Sequence, residues 1–225
     1  EGDTANANAK AASGVYSSFS SLPLFADGAS YLDIKQGSLG DCFLVASLAA
    51  YAYARPSDFK SVFVENPVSA NGVRTFGVRF FDQMGGEHWV TVNDKLTTSA
   101  DDPTTPLYAK TSHMDAQGNT VSELWVALAE KAYAEFNELK LNNRTKSDNG
   151  LFAIEGGMAE AAILMFNQNA VAYTSDPNGV IGNFNGFTRM TVVLPPDGKS
   201  PLQMYTEALN SGKTVWVGAA NDIKD

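Results

Sequence analysis

Only one cysteine, Cys42, and two histidines, His88 and His113, occur among the 225 residues. One cysteine excludes a disulfide within the chain and any zinc site built from several thiolates. No apolar stretch reaches the ~18 continuous residues of a membrane-spanning helix, so a membrane span is not expected. Positive charge is also scarce. The 16 Lys and Arg against 25 Asp and Glu leave a net charge of -9, which argues against a phosphate-neutralising surface and hence against a nucleic-acid partner. The first residues, EGDTANANAKAASG, have neither a basic start nor an apolar run and do not read as a signal peptide. Localisation is left open. What is present is a composition 44% hydrophobic and 11% aromatic, enough to bury a real core as one domain or two small lobes.

Residues 1 to about 22 are rich in Ala, Ser, Asn and Gly and read as a tail or loosely packed arm. The segment Asp41-Cys42-Phe43-Leu44-Val45-Ala46-Ser47-Leu48-Ala49-Ala50-Tyr51-Ala52-Tyr53-Ala54 is apolar on nearly every side and is stopped by Pro56. It predicts a core helix with Cys42 in its first turn. Val73–Phe81 and His88–Val92 predict two antiparallel strands around a Met84-Gly85-Gly86 turn. Residues 99 to 121 read as a long polar loop, and Val121–Leu139 as an amphipathic helix with Leu124, Leu128, Ala132 and Phe136 four apart. A polar stretch, Asn142–Gly150, reads as a lobe boundary. Beyond it the pattern gives a short helix over Met158–Asn167, strands over Met190–Leu194 and Thr214–Gly218, and a helix near Leu202–Leu209. The fold class is α+β: a tail (1–23), a helical first lobe with a small antiparallel sheet (24–145), then the opening of a β-rich second lobe (146–225).

A nucleophilic cysteine acts as its thiolate and needs help losing the proton. The unpaired N–H groups of a helix's first turn give that help. Gly37 and Gly40, before the turn, allow close backbone approach. Gln36 lies six residues upstream, where its amide can donate to a developing oxyanion. Asp41 opposes the thiolate unless its side chain turns away.

The string Gln36-Gly37-Ser38-Leu39-Gly40-Asp41-Cys42-Phe43-Leu44 resembles the active-site signature of the calpain family, QGxLGDCW, with Phe43 where that family has tryptophan. Glu123-Leu124-Trp125-Val126-Ala127-Leu128-Ala129-Glu130-Lys131-Ala132-Tyr133-Ala134 resembles its E-[FL]-W-x-A-L-x-E-K-A-Y-A helix. His88-Trp89-Val90-Thr91-Val92-Asn93-Asp94-Lys95-Leu96 resembles its W-V-x-V-x-D-D-x-L-P strand and turn. Ile154-Glu155-Gly156-Gly157 stands where the family has a double glycine. The four matches run in the family's order.

The resemblance implies a papain-like, calcium-dependent endopeptidase using a Cys-His-Asn triad. Cys42 is then the nucleophile and Gln36 the oxyanion-hole donor, acting on protein or peptide substrates. The base of such enzymes lies ~130–150 residues past the cysteine, so His88 and His113 fall where the family has no catalytic residue. The catalytic His and Asn are expected beyond Asp225, in the remaining second-lobe segment, on the same chain or on a separate or cleaved one. The resemblance also implies a calcium ion held by the carbonyls of Ala26 and Gly28 and the carboxylates of Asp33 and Glu123, a donor set suited to a hard cation. Tyr31 stands where the family has an arginine.

Two readings compete with the endopeptidase. One is a catalytically incomplete calcium-binding or regulatory module of the same fold. The other is a transglutaminase-type acyl transferase, which the Gly-Asp-Cys string and the Glu-x-Trp helix disfavour.

Overall fold

In a computed structural model of the chain, residues 14–115, 117–141, 150–157, 165–167, 170–173, 190–193, 198–213 and 215 are described. The core is organised by two helices. The first, α1 (Cys42–Ala54), buries Phe43, Leu44, Val45, Ser47, Leu48, Tyr51 and Ala52. Burial on all sides is what its unbroken apolar composition requires. It ends at Arg55, and Pro56 opens a 3-10 turn, Pro56–Ser61, a position proline fills without losing a helical hydrogen bond.

The second helix, α2 (Trp125–Glu138), is also enclosed almost all round. The expected stripe of Leu124, Leu128, Ala132 and Phe136 is fully buried, but so are Trp125, Val126, Ala129 and Tyr133. The helix is therefore less one-sided than its spacing implies. It packs against the strands Thr75–Phe81 and Glu87–Asn93, touches α1, and meets a 3-10 turn, Leu151–Ile154.

Four pairings and one three-stranded sheet surround the helices. Strand β1 (Gly14–Ser18) pairs antiparallel with β6 (Lys95–Ser99), Gly14 opposite Ser99 and Ser18 opposite Lys95. The residues from 14 onward are thus an ordered arm and not a loose tail. Its low hydrophobicity hid it, because β1 is a mostly exposed edge strand. The sheet β3 (Phe63–Glu65), β4 (Thr75–Phe81) and β5 (Glu87–Asn93) is antiparallel throughout, with the β4–β5 hairpin close to its expected bounds. Phe76, Val78 and Phe80 alternate along β4 and are fully buried, the two-residue period of a strand with one core face.

Residues 99–121, expected as a polar loop, carry three two-residue strands. Strand β2 (Ile34–Lys35) pairs with β7 (Lys110–Thr111), and β8 (His113–Met114) with β9 (Thr120–Val121). Strands this short have no period to read. Near the end, β10 (Ala170–Tyr173) and β11 (Met190–Val193) pair in parallel. Helix α3 (Pro201–Asn210) follows, started by a capping box between Ser200 and Gln203. Expected elements over 158–164 and 214–218 lie largely outside the described residues.

Leu151, Ile154, Met165 and Phe166 belong to the same buried cluster as α1 and α2. The Phe166 ring stacks on Tyr51 at 3.5 Å. The polar stretch before residue 150 is therefore no break in the hydrophobic core. Among the described residues no helix is long and apolar enough to cross a membrane.

Candidate active site and acidic cluster

Cys42 is the first residue of α1, and it is exposed. Its N–H, as the first of the helix, has no acceptor within the helix. The carbonyl of Asp41 takes the next amides, from Leu44 at 2.8 Å and Val45 at 3.3 Å. Several contacts hold the loop ahead of it. Ser38 donates its backbone N–H (2.9 Å) and its hydroxyl (3.1 Å) to the Leu107 carbonyl. Gly40 accepts from Gly156 at 2.8 Å, and Gln36 Nε2 donates to the Leu39 carbonyl at 2.9 Å. A Cβ on Gly37 would collide with the Leu107 carbonyl oxygen and the Tyr108 backbone, so the close approach of residues 107–108 demands glycine there.

Asp41 is fully buried while Cys42 beside it is exposed. The Asp41 side chain meets Glu130 of α2 and the amide of Gln36. Burial raises both carboxyls, and Glu130 is raised well above its ordinary value by burial first and the Asp41 charge second. Burial therefore favours the protonated form of Glu130 beside Asp41. The Ala109 N–H donates to Glu130 at 3.1 Å. Sequence alone placed Glu130 in a family helix and gave it no role.

Of the sequence-derived cation residues, Asp33 and Glu123 come together and the Ala26 backbone reaches Glu123, with two additions. The loop 23–28 is fastened to the start of α2: Leu124 N–H donates to Pro23 O (3.0 Å), Trp125 N–H to Leu24 O (3.3 Å), and Ala26 N–H to Glu123 Oε2 (2.7 Å). Gly28 in that loop has φ +103°, open to glycine alone without strain. Asp33 closes a capping box with Ser30. Its Oδ2 accepts from Ser30 N–H at 2.7 Å and from the Trp125 indole at 3.0 Å. Each carboxylate thus has one oxygen held by the protein, while Asp33 Oδ1 and Glu123 Oε1 are buried without a hydrogen bond among the described residues.

The additions are His113 and Asp27. His113 Nδ1 lies 2.9 Å from Asp33 Oδ1, without hydrogen-bonding alignment, and 4.0 Å from Glu123 Oε1. Its Nε2 is 3.4 Å from Asp27 Oδ2. One atom each of Asp27, His113 and Glu123 lie within 4.8 Å of one another. Burial, together with the charges of Asp33 and Asp27, outweighs the bond from Ala26 and pushes the Glu123 carboxyl up to about 7. Two enclosed carboxylates, each with an unfilled oxygen, fit a divalent cation. The imidazole is not a ligand that calcium uses. His113 escaped the sequence reading because a two-residue strand carries it across the chain to Asp33.

The other histidine is also engaged with a carboxylate, His88 Nε2 lying 2.8 Å from Asp82 Oδ2 at the β4–β5 turn. Neither histidine is thereby a sequence-adjacent or visibly paired base for Cys42.

A family model described as calpain family cysteine protease matches residues 15–176. Among curated proteins the chain is 36% identical over 115 residues to a calpain of Schistosoma mansoni, covering 50% of this chain and 14% of that protein. It is 31% identical over 113 residues to calpain-A of Drosophila melanogaster, covering 50% of this chain and 12% of the relative. To the calpain-2 catalytic subunit of Rattus norvegicus it is 34% identical over 110 residues, 49% of this chain and 14% of the relative. The matches therefore span 12% to 14% of the length of these relatives.

Proposed function

The chain belongs to the calpain family of cysteine proteases, and from that premise we propose that it is the nucleophile-bearing part of a calcium-dependent endopeptidase with a Cys-His-Asn mechanism. The observation that carries this reading is the exposed thiol of Cys42 at the first residue of a buried helix, behind a loop fixed at Gly37, Ser38 and Gly40. Cys42 attacks the scissile carbonyl of a protein or peptide substrate. The oxyanion is received by the Cys42 N–H and by Gln36, whose amide donates to the Leu39 carbonyl, meets Asp41, and would turn one N–H from these partners to the substrate. The base and its orienting asparagine come from second-lobe sequence outside these residues, since His88 and His113 are engaged with carboxylates. Residues 24–145 would form the first lobe, and 146–225, whose Leu151, Ile154, Met165 and Phe166 join that lobe's core, would lead into the second.

Asp33 and Glu123, with the carbonyls of Ala26 and Gly28, would hold a calcium ion. Bound there, calcium supplies a fixed electrostatic link between the loop and the start of α2. The test is hydrolysis of an unstructured protein by the protein in its natural length. Calcium-dependent cleavage that disappears in Cys42→Ala supports the reading, and cleavage unchanged in Cys42→Ala overturns it.

The engagement of both histidines favours one second reading, a calpain-like calcium-binding or regulatory module without catalysis. Alkylation of Cys42 in the natural-length protein separates the two. A catalytic thiol reacts much faster than free cysteine, and an inert one does not.

A further inference from the structure

Calcium takes oxygen ligands, whereas imidazole suits zinc, cobalt, nickel and copper. The acidic cluster holds such a nitrogen. One ligand atom each of Asp27, His113 and Glu123 fall within 4.8 Å of one another, a span that an ion bonded at about 2.0–2.2 Å to each closes with small side-chain movements. A second observation points the same way and does not depend on the clustering. The Glu123 side chain is fully enclosed, one oxygen is held by the Ala26 N–H, and the other faces the imidazole with no hydrogen-bond partner among the described residues. Asp33 Oδ1, 2.9 Å from Nδ1, stands against the ring's other nitrogen from the one that faces Asp27. A metal on Nε2 would leave an Nδ1–H that a small ring rotation brings into line with that oxygen, the carboxylate–histidine pairing that orients metal-bound imidazoles.

We propose that Asp27, His113 and Glu123 bind a borderline divalent transition-metal ion of the zinc or cobalt class. Because Glu123 serves both donor sets, this ion and calcium exclude one another. The exclusion rests on the calcium reading above, and the site itself does not. The pocket then has two occupants with opposite consequences. Calcium ties loop 23–28 to α2 through Asp33, and the softer ion ties it to the β8–β9 hairpin through His113.

Co2+ is the probe, added to the full chain carrying Cys42→Ser so that the thiol cannot bind it. Visible d–d absorption is expected to saturate at one equivalent and to vanish on adding Zn2+. His113→Gln and, separately, Asp27→Asn are expected to weaken binding about tenfold or more. The Asp27 side chain is 60% exposed, so its substitution leaves the fold in place, which circular dichroism checks. The calcium reading has its own readout in Tb3+ luminescence sensitised by Trp125, whose indole bonds to Asp33 at 3.0 Å. Tb3+ emission is expected to survive His113→Gln and to be displaced by Zn2+ in the parent. Absent Co2+ bands, or bands unchanged by both substitutions, overturn the site. Bands that depend on His113 and Asp27 without Tb3+ emission leave the site standing and remove the calcium reading. Tb3+ emission indifferent to bound Zn2+ overturns the exclusion.

Discussion

Gly37 and Gln36 sit one residue apart and do different work. At Gly37 the atoms a side chain would meet are the backbone of Leu107 and Tyr108, which cannot swing aside as a side-chain tip can. Gly37→Ala is therefore expected to cost about 1–3 kcal/mol through overpacking, seen as a lower urea midpoint; an unmoved midpoint would show that the 107–108 segment yields freely. Gln36 is exposed and spans the loop to the Leu39 carbonyl. As an oxyanion donor it acts only when charge develops. Gln36→Ala should slow turnover of the complete enzyme by about 10²-fold or more through kcat, and leave alkylation of Cys42 unchanged. A fall in alkylation as large as the fall in turnover would instead assign Gln36 to holding the loop. Both residues were legible in sequence because they belong to a contiguous string. His113, Asp27 and Glu130 were not, since each acquires its role from a partner distant in sequence.

At the level of elements, the sequence revealed those with a long period. Helix α1 is an unbroken apolar run of 13 residues, and α2 and the strands of the β4–β5 hairpin repeat their pattern over 7 to 14. The strands β2, β7, β8 and β9 have two residues each, and their pairing is decided by tertiary context that no local window contains. The α1–α2 contact shows what that context adds. Glu130 of α2 is buried beside Asp41 at the start of α1, and its carboxyl is raised well above the ordinary value by that burial. Above the ordinary glutamate value of 4.5, an unfolded chain has released this proton while the folded chain still holds it. Stability therefore falls as pH rises from there to the raised folded value, and below 4.5 the group contributes no slope. Glu130→Gln keeps a donor for Asp41 and an acceptor for Ala109, and removes the titration. Its melting temperature should match the parent near pH 4 and exceed it by a margin that grows toward alkaline pH. Parallel melting curves at every pH would refute a shared proton. Glu130→Ala should destabilise at all pH values, by about 1–3 kcal/mol for each buried group left unpaired.

For the whole molecule, three segments far apart in sequence converge on one small volume: loop 23–28, the start of α2 and the β8–β9 hairpin. The first two are already joined by two backbone hydrogen bonds and a third from the Ala26 N–H to the Glu123 carboxylate, so a cation there would reinforce an existing junction and need not create one. What it would change is the cost of burying the Glu123 charge and its repulsion with Asp33 and Asp27, which together raise that carboxyl. A ligand that binds only the folded state at about 100 times its Kd adds about 2.7 kcal/mol. For a chain of this size that is about 5–10 °C in melting temperature. Calcium is accordingly expected to raise the melting temperature by that amount, with the shift lost in Glu123→Gln and in Asp33→Asn, which retains an acceptor for Ser30 and Trp125. The unliganded Glu123→Gln chain should itself melt above the unliganded parent near pH 8, because a buried charge has been removed without altering the side chain's shape. A calcium shift that persists in both variants would place the ion elsewhere in the molecule, and the junction between loop and helix would then owe its order to backbone hydrogen bonds alone.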